Sequence, residues 1–366
     1  MCSRFVRRDV VLPGTRRGRG ATINPAGRFE RTRCEPFDDG WGSLAELASA
    51  PAPVTEVHPD TAKSVLTTNE SPDIGFDRSL NPYRGCEHGC IYCYARPSHG
   101  YLGLSSGLDF ETKIFAKHDA AELLRRELGR PGYRPEVLVL GSNTDPYQPV
   151  ERRLGITRAV LELLLETRHP FAITTKGAGI LRDLDLLAEA AGLGLVRVDV
   201  SVTTLDPSLA RTMEPRAAAP WRRLEVIRAL AAAGVPVGAN LAPLIPGLND
   251  HEIERIASTV AEAGAGHLNW ILVRLPHEVK ELFAAWLEAR FPERAARVLS
   301  LLRQCREGRL NDPRFGHRMR GSGPLAALLA ERVAKARRRF GLDRPLPPLR
   351  TDLFRPPRTD RQLTLL

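Results

Sequence analysis

The sequence has 366 residues and a net charge of +10, with 43% hydrophobic and 26% charged residues, as in an ordinary globular protein of one or two domains. No apolar run reaches about 18 residues, and the arginine-rich start lacks the apolar stretch of a secretory signal. We therefore expect a cytoplasmic protein that does not bind membranes, in which clustered cysteines are metal ligands or reactive groups rather than disulfides.

The two ends of the chain carry the positive charge. Residues 1–33 contain 9 arginines and 2 acidic residues, and residues 294–366 contain 18 lysines and arginines and 6 acidic residues. Basic ends on an acidic body predict contact with a polyanion such as a nucleic acid. The alternative that the sequence leaves open is a solvated, arginine-rich surface.

In chain order the sequence divides into four segments. Residues 1–60 are rich in Gly, Pro, Arg and Ala and are expected to be extended or partly disordered, with one short helix near residues 41–49. Residues 61–276 alternate between short apolar runs and amphipathic stretches and form the predicted main domain. Residues 277–342 are a predicted helical extension, and residues 343–366 are a proline-rich tail that is expected to lie on the body.

Six predicted strands alternate with five predicted helices in the main domain. The strands are short runs bounded by Gly, Pro or Asp, and they cover residues 77–85, 136–141, 171–177, 194–203, 234–243 and 267–276. The helices cover residues 119–128, 157–168, 180–190, 221–233 and 250–263. Strands that are nearly continuous apolar runs and alternate with helices indicate an α/β fold with a parallel sheet. A partial (β/α)6 barrel and a doubly wound sheet both fit this pattern.

Polar sequences follow the predicted strands at their carboxyl ends. They read "GSNTDPYQPVE", "TTKG", "SVTTLD" and "NLAPLIPGLND". Turn chemistry explains the Gly, Pro, Asn and Asp residues but not the additional Ser, Thr, Gln and Lys residues. Because ligands of both candidate folds collect at this edge of the sheet, we expect a shared binding site there.

Three of the six cysteines, Cys86, Cys90 and Cys93, lie close together in "RGCEHGCIYCYAR". A disulfide would leave one thiol over and conflicts with the reducing compartment. A structural zinc ion requires four ligands, of which His88 or His99 would have to supply the fourth. A 4Fe–4S cluster with three protein thiolates leaves one iron open to an outside ligand, which implies a reactive centre. These two metal sites are the alternatives.

The cysteine motif resembles that of the radical S-adenosylmethionine enzymes. The C-x3-C-x2-C spacing, the aromatic residue just before the third cysteine and the position after the first strand carry the resemblance, which covers residues 70–275. It implies a partial (β/α)6 TIM-like barrel, here with an extended N-terminal segment and a C-terminal helical extension. It also implies a 4Fe–4S cluster, S-adenosyl-L-methionine and an external electron donor of the flavodoxin or ferredoxin type. Enzymes of this kind cleave S-adenosylmethionine reductively and generate a 5′-deoxyadenosyl radical.

Within that superfamily the sequence is similar to the spore photoproduct lyase-like branch, often labelled DNA repair photolyase. "SPDIGFDRSLNPYRGCEHGCIYCYAR", "NTDPYQPVE" and "APLIPGLND" carry this similarity. It implies that the three cysteines bind the cluster and that Tyr92 packs beside the adenine of S-adenosylmethionine. The other contacts to S-adenosylmethionine that it implies are Ser142, Lys176, Ser201, Asn240 and, in "MEPR", Arg216.

The sequence departs from that branch in one respect. Spore photoproduct lyase has a cysteine at the end of the second strand that returns a hydrogen atom to the product radical, whereas "VLVLGSNTDPYQP" contains none. Tyr94 and Tyr147 are chemically able to relay a hydrogen atom, but the expected role of both is packing. The sequence therefore identifies no catalytic residue.

The leading hypothesis is a radical S-adenosylmethionine enzyme, lyase-like and with its reaction unassigned, that acts on a nucleic acid. Arg318 and Arg320 would face a phosphate of that substrate. A peptide or a small molecule is the alternative substrate. The alternative of another class is a non-catalytic protein that binds a metal cluster or zinc.

Overall fold

A computed structural model describes residues 18–29 and 54–357 of the chain. The short helix predicted near residues 41–49 lies outside this part. The strands of the described residues, β1 to β10 in chain order, are Glu56–Pro59, Leu66–Thr68, Arg78–Leu80, Tyr83–Arg84, Lys113–Ala116, Leu138–Leu140, Phe171–Thr175, Val196–Ser201, Val237–Leu244 and Leu268–Leu272. They form a seven-stranded sheet of order β10-β9-β8-β7-β6-β3-β2 and a three-stranded sheet of order β1-β5-β4.

The seven-stranded sheet forms the centre of the domain. β3 and β6 to β10 pair in parallel, and β2 runs antiparallel beside β3. The six parallel strands are the six that the sequence predicts. They follow one another across the sheet in chain order, as in a barrel, and do not reverse at a switch point as in a doubly wound sheet. The α/β class and the partial (β/α)6 TIM-like barrel are thereby confirmed.

The helices of the described residues connect these strands and continue beyond the last one. The α-helices are Leu108–Thr112, Ala120–Leu128, Glu151–Leu154, Ile156–Glu166, Leu184–Gly192, Pro207–Met213, Pro220–Ala232, Ile253–Glu262, Val279–Arg290, Pro292–Gln304 and Gly323–Arg339. Short 3-10 helices are Arg96–Leu102, Ala178–Asp183 and Asp250–Glu252. All five helices predicted in the main domain are present. Among the helices of this part of the chain, none has the length and apolar character that a membrane crossing requires.

The two faces of the central sheet differ in character. On one face Val198 and Val200 of β8 belong to the apolar core that the helices cover. On the other face the register brings Ser201, Asn240 and Asn269 side by side on β8, β9 and β10. Because successive side chains of a strand point to opposite faces, these polar groups lie opposite the core. The sheet therefore has one apolar face under the helices and one polar face.

The smaller sheet was not predicted from the sequence. β5 pairs in parallel with β1 and antiparallel with β4. β4 is two residues long and leads through Gly85 directly to Cys86. The backbone N–H of Cys86 donates to the carbonyl oxygen of Phe110 at 2.9 Å. The smaller sheet thus fixes the start of the cysteine loop beside the main domain.

The proline-rich tail lies against the main domain at the amino-terminal ends of its strands. The backbone N–H of Arg350 donates to Gly194 O at 3.0 Å, just before β8. The N–H of Arg355 donates to Thr167 O at 2.8 Å, just before β7. Between them, the ring of Phe354 packs edge-on against the ring of a buried histidine, with 5.5 Å between the two centroids. The tail is therefore at the end of the sheet opposite to the cysteine loop.

That histidine, His169, is expected to make stability depend on pH. Tyr133 Oη lies 2.8 Å from His169 Nε2, and Pro170 O lies 3.0 Å from Nδ1. Burial lowers the pKa of His169 from 6.5 to about 4. Since the folded-state pKa lies below the unfolded one, stability that is present above pH 6.5 is lost as the pH falls towards 4. We expect the free energy of unfolding to fall by about 1.3 kcal/mol from this group between about pH 7.5 and pH 5.5.

Urea unfolding at both pH values measures this effect. A His169→Phe variant has no titrating group at this position and should lose this part of the pH dependence. His118 is exposed, so a His118→Phe variant is the matched control and should keep the wild-type difference between the two pH values. The same pH dependence in wild type and in His169→Phe would contradict the prediction.

Candidate functional site

The cysteine loop begins directly after β4 and is mostly buried. Cys86 and Cys90 are buried and Cys93 is half-buried. The loop turns at Gly89, where φ is +65°. A Cβ atom at this position would lie 2.7 Å from Glu111 Oε2. Glycine is therefore needed both for the left-handed backbone and for the close approach of the carboxylate.

The three thiols are spread more widely than a single metal ion requires. Among the residues that the structure describes, Glu307, Asp312 and His317 form a group whose donor atoms all lie within 4.8 Å of one another, and the three cysteines do not. A tetrahedral zinc ion with Zn–S bonds of about 2.3 Å needs sulfur atoms about 3.8 Å apart. The three thiols therefore do not form a compact site for a single zinc ion.

The two histidines considered as a fourth zinc ligand each have a protein partner. His88 Nδ1 lies 3.3 Å from Asp145 Oδ2. His99 Nε2 lies 3.0 Å from Lys113 O, and burial lowers the pKa of His99 to about 4. These contacts do not favour the zinc alternative.

Burial also governs the protonation of the thiols. It raises the pKa of Cys86 well above its usual value, and Asp145 adds to this increase. It raises the pKa of Cys90 to about 12, against the opposing charge of Lys176. Buried thiols of high pKa are poor nucleophiles, and a metal that binds them must displace their protons. The donor set is therefore suited to holding a metal cluster and not to nucleophilic catalysis.

Arg96 is fully buried and organises the backbone of the cysteine loop. Its Nε donates to Cys90 O at 2.8 Å, and its Nη2 donates to Gly89 O at 2.9 Å. Its Nη1 donates, at 3.1 and 2.9 Å, to two carbonyl groups just before the helix Leu108–Thr112. Its Nη2 also pairs with Glu111 Oε1 at 2.6 Å. One side chain thus joins the loop to the helix that follows it.

Residues 18–29, which we call the strap, pack against the cysteine loop through the carboxylate of Glu111, which also pairs with Arg96. Glu111 accepts hydrogen bonds from the backbone N–H groups of Gly20 and Ala21 at 3.0 and 2.8 Å. The two backbones are in direct contact, since a Cβ atom at Gly20 would lie 1.9 Å from Gly89 O. Glu111 therefore links the strap to the loop.

Tyr92 lies in a buried network of charged groups. Its hydroxyl donates to Glu214 Oε1, and Glu214 Oε2 accepts from Arg223. Thr203 Oγ1 donates to the same carboxylate at 3.0 Å, and Lys176 Nζ lies 5.9 Å from the centroid of the Tyr92 ring. Burial by itself would raise the pKa of Glu214, but the charges of Arg223 and Lys176 hold it below its usual value. The carboxylate is therefore ionised inside the protein.

Most of the residues predicted to contact S-adenosylmethionine lie at one edge of the sheet. Ser201 and Asn240 are register partners on β8 and β9. Lys176 follows β7 directly, and Ser142 follows β6, where its hydroxyl accepts from Asn81 Nδ2 at 3.1 Å. The carboxyl-terminal ends of β6, β7 and β8, together with the middle of β9, thus bring these four side chains to a common level of the sheet.

Arg216 differs from this group. Its Nη2 donates to Glu87 Oε1 at 3.0 Å, and its backbone N–H donates to His88 O at 3.3 Å. Its side chain lines a cavity of about 600 Å³ that Lys176 does not line. Arg216 thus lies at this cavity, whereas the Lys176 ammonium lies over the ring of Tyr92. The contact of Arg216 with S-adenosylmethionine stays a prediction.

Asp145 was not identified from the sequence, although it lies in the quoted "NTDPYQPVE". It accepts hydrogen bonds from Thr175 Oγ1 and from the backbone N–H of Lys176, both at 2.7 Å. Burial would raise its pKa, but His88 and these donors lower the pKa to about 2. Glu214 was missed in the same way within "MEPR". The signal that could have identified both residues is the presence of an acidic side chain inside a motif already linked to the site.

Two arginine–aromatic pairs, which we call the arginine–aromatic patch, lie at or just after β10, and of their rings Tyr94 is exposed and Trp270 is buried. The Arg274 guanidinium lies 5.4 Å from the centroid of the Tyr94 ring, and the Arg320 guanidinium lies 4.4 Å from that of Trp270. Neither guanidinium has a carboxylate within ion-pair distance among the residues described. Burial lowers the pKa of both arginines. Arg318, by contrast, is already paired with a carboxylate at 2.6 Å.

Residues 80–260 match the protein-family profile described as "Radical SAM superfamily". An uncharacterized protein of Mycobacterium tuberculosis is 36% identical to the chain over 281 residues. The aligned region covers 74% of this chain and 82% of that relative.

Solved structures of spore photoproduct lyase are similar to the chain in fold. A mutant of that enzyme with bound AdoMet and dinucleoside spore photoproduct has a TM-score of 0.56 and 16% identity, and the alignment covers 85% of each chain. The enzyme complexed with dinucleoside spore photoproduct has a TM-score of 0.56 and 16% identity over 78% of each chain. At this level of identity the similarity concerns the fold.

Proposed function

The chain belongs to the radical S-adenosylmethionine superfamily, and from that membership we propose that it binds one 4Fe–4S cluster and S-adenosylmethionine. Cys86, Cys90 and Cys93 are the proposed cluster ligands. The observation that carries the proposal is a mostly buried loop with three thiols, which do not form a compact site for a single ion and which adjoin a polar edge of the sheet. When both are bound, the cluster and S-adenosylmethionine would supply one reaction, the reductive cleavage of S-adenosylmethionine to a 5′-deoxyadenosyl radical.

The protein's own residues bind and orient the cofactor at that edge. We propose that Lys176 and Ser142 bind the carboxylate of S-adenosylmethionine, because an ammonium and a hydroxyl are suitable donors for it. Ser201 and Asn240 are proposed to bind the ribose and the adenine. Tyr92 is proposed to lie beside the adenine. Its hydroxyl is bonded to a buried carboxylate, which fixes the position of the ring.

A nucleic acid is the substrate that we propose. The arginine–aromatic patch supports this, because arginines bind phosphates and the ring of Tyr94, which is 46% exposed, is able to stack on a base. The patch adjoins the proposed cofactor site, since the hydroxyl of Tyr94 donates to the carbonyl oxygen of Ser142. The desolvated charges of Arg274 and Arg320 would be stabilised by a phosphate.

The position of the remaining described cysteine bears on the reaction. Cys305 is buried in the apolar core together with Leu272 of β10, on the face that the helices cover. It therefore does not reach the polar edge where the substrate is proposed to bind. Without a cysteine at the end of β6, we leave the reaction on the nucleic acid unassigned and do not propose repair of thymine dimers.

Anaerobic reconstitution with iron and sulfide, followed by dithionite and S-adenosylmethionine, tests the proposed function. We expect a brown protein with about four iron atoms per chain that releases 5′-deoxyadenosine. A variant with Cys86, Cys90 and Cys93 replaced by Ala should show neither, because its loop offers no thiolate. The matched control is Cys305→Ala, which should keep both properties. A colourless wild-type protein with one bound zinc ion would contradict the proposal.

The salt dependence of single-stranded DNA binding tests the proposed substrate class. Replacing Arg274 and Arg320 together by Gln should weaken binding by about tenfold at low salt and reduce the slope of log K against log salt by about 1.4, because each phosphate contact on a single strand contributes about 0.7. The control replaces Arg338 and Arg344, which are exposed at the other end of the sheet, by Gln. An unchanged slope in the first variant would refute the role of the patch.

A further inference from the structure

A cavity of about 600 Å³ lies beside the cysteine loop. The segments that follow β6 and β7 and the start of the helix Pro220–Ala232 bound it. His88, which lies in the chain between Cys86 and Cys90, forms part of its wall. The cavity therefore adjoins the loop that carries the proposed cluster ligands, although none of the described cysteines lines it.

The rim of the cavity is cationic. Its four arginines, Arg152, Arg182, Arg216 and Arg222, are all exposed. The acidic residue in its lining is Glu151, and that side chain is only 2% exposed. A macromolecule that approaches this surface therefore meets four guanidinium groups, one of which, that of Arg222, is paired with the exposed carboxylate of Glu225 at 2.5 Å.

Buried carboxylates hold two of these guanidinium groups in place. Arg182 Nη2 pairs with Glu151 Oε1 at 2.8 Å, and Arg216 Nη2 pairs with Glu87 Oε1 at 3.0 Å. The arginine side chains are 34% and 36% exposed, whereas the carboxylates are 2% and 5% exposed. The positive groups are thus oriented before any partner binds, which lowers the entropy that docking must overcome.

An exposed aromatic side chain lies beside the rim. Trp221, in the first turn of the helix Pro220–Ala232, is 59% exposed and precedes Arg222 in the chain. Tryptophan and arginine are the residues most enriched at the hot spots of protein–protein interfaces. The combination of an exposed tryptophan with a cationic rim is therefore that of a surface for a protein partner.

We propose that this rim docks an acidic one-electron carrier protein of the flavodoxin type, which delivers an electron through the cysteine loop. The proposal rests on the proposed function, because it presupposes a cluster on the three thiols. One electron leaves the carrier, which is oxidised, and enters the cluster, which is reduced. No atom or proton is transferred between the two proteins.

Two arguments favour an electron carrier over a nucleic acid at this rim. The rim adjoins the loop at β6 and β7, whereas the two arginines of the arginine–aromatic patch lie at β10, three strands away from β7, and only Tyr94 of that patch reaches the segment after β6. Electron entry and substrate binding therefore have separate surfaces. An acidic carrier is complementary in charge to the rim, and such complementarity accelerates association.

Replacing Arg152 and Arg222 together by Glu tests the docking surface, with reduced flavodoxin as the probe. Two quantities are measured on the cluster-loaded protein: the affinity for flavodoxin, and the rate of cluster reduction followed by absorbance. We expect both to fall by about tenfold or more at low salt, and the difference from wild type to shrink as salt is added. Reduction by dithionite needs no docking, and its rate should change by less than about twofold.

Two further variants sharpen this test. Replacing Arg338 and Arg344 together by Glu introduces the same charge change at the opposite end of the sheet and should leave flavodoxin binding unchanged. Trp221→Ala should increase the rate of dissociation of flavodoxin with little change in the salt dependence, since it removes apolar contact and no charge.

Equal flavodoxin binding and reduction in wild type and in the Arg152 and Arg222 variant would overturn the proposal. Loss of single-stranded DNA binding in that variant, with flavodoxin binding unchanged, would also overturn it and would assign the rim to a nucleic acid. The reaction with dithionite distinguishes a failure of the proposed function from a failure of the docking surface. Failure of the wild type to form 5′-deoxyadenosine with dithionite refutes the proposed function, whereas failure of the charge variant to affect flavodoxin refutes the docking surface alone.

Discussion

Replacing Arg223 by Met is expected to reduce the free energy of unfolding by about 3–5 kcal/mol, because the Glu214 carboxylate then stays buried without its closest cation. Both side chains are almost completely buried, and they form a direct ion pair. The other direct partners of the carboxylate, Tyr92 and Thr203, donate hydrogen bonds but carry no charge. Urea unfolding of the metal-free protein measures this effect without a contribution from metal binding.

Two variants show whether the uncompensated charge is the cause. Combining Arg223→Met with Glu214→Gln should recover at least about half of the loss, since no charge then remains buried and the amide oxygen still accepts from Tyr92. Arg222→Met is the matched control, because Arg222 is exposed, and it should change the stability by less than about 0.5 kcal/mol. A loss below about 1 kcal/mol in Arg223→Met would refute this account of the pair.

Replacing Arg96 by Met is expected to prevent more than half of the iron incorporation and to destabilise the metal-free protein by about 3 kcal/mol or more. Methionine fills a similar volume but has no donor. The buried groups that the Arg96 guanidinium binds then have no donor in its place. They are the carbonyl groups of Cys90 and Gly89 and the carboxylate of Glu111. Iron per chain after reconstitution and urea unfolding before it are the two measurements.

The conservative replacement separates geometry from charge at this position. Arg96→Lys keeps the positive charge but offers one ammonium in place of the planar fork, so we expect an intermediate loss of iron. Arg84→Met is the control, because Arg84 lies at the entrance of the loop and its ion pair with Asp60 is exposed. Full iron content in Arg96→Met would show that the loop does not need this side chain.

The strands and helices of the main domain could be predicted because their sequence patterns are local. β8 reads "VRVDVS", in which alternate valines face the core. The cysteine motif is local as well, since its three thiols lie within a single loop. Short-range patterns of this kind need no knowledge of which distant segments are in contact.

The smaller sheet and the supports of the cysteine loop could not be predicted, for two physical reasons. β4 has two residues and β5 has four, and such short strands show no recognisable alternation of apolar and polar residues. The paired residues of β1 and β5 are 57 positions apart in the sequence, so no local pattern indicates that the two strands pair. Arg96 and Glu111 are charged, and charged residues predict exposure, so their complete burial as a pair is invisible in a hydrophobic pattern. The same holds for Glu214 and Arg223.

The strap has a consequence for the order in which the protein is made. Residues 18–29 leave the ribosome early, yet Glu111, which binds Gly20 and Ala21, lies 91 and 90 residues further along the chain. During translation the thiols are therefore synthesised before the strap has its partner, and since the strap contacts the loop at Gly89, we expect a cluster on the thiols to stabilise the strap. Slower hydrogen exchange at the Gly20 and Ala21 amides in the loaded protein than in the metal-free protein would support this coupling, and equal exchange in both forms would argue against it.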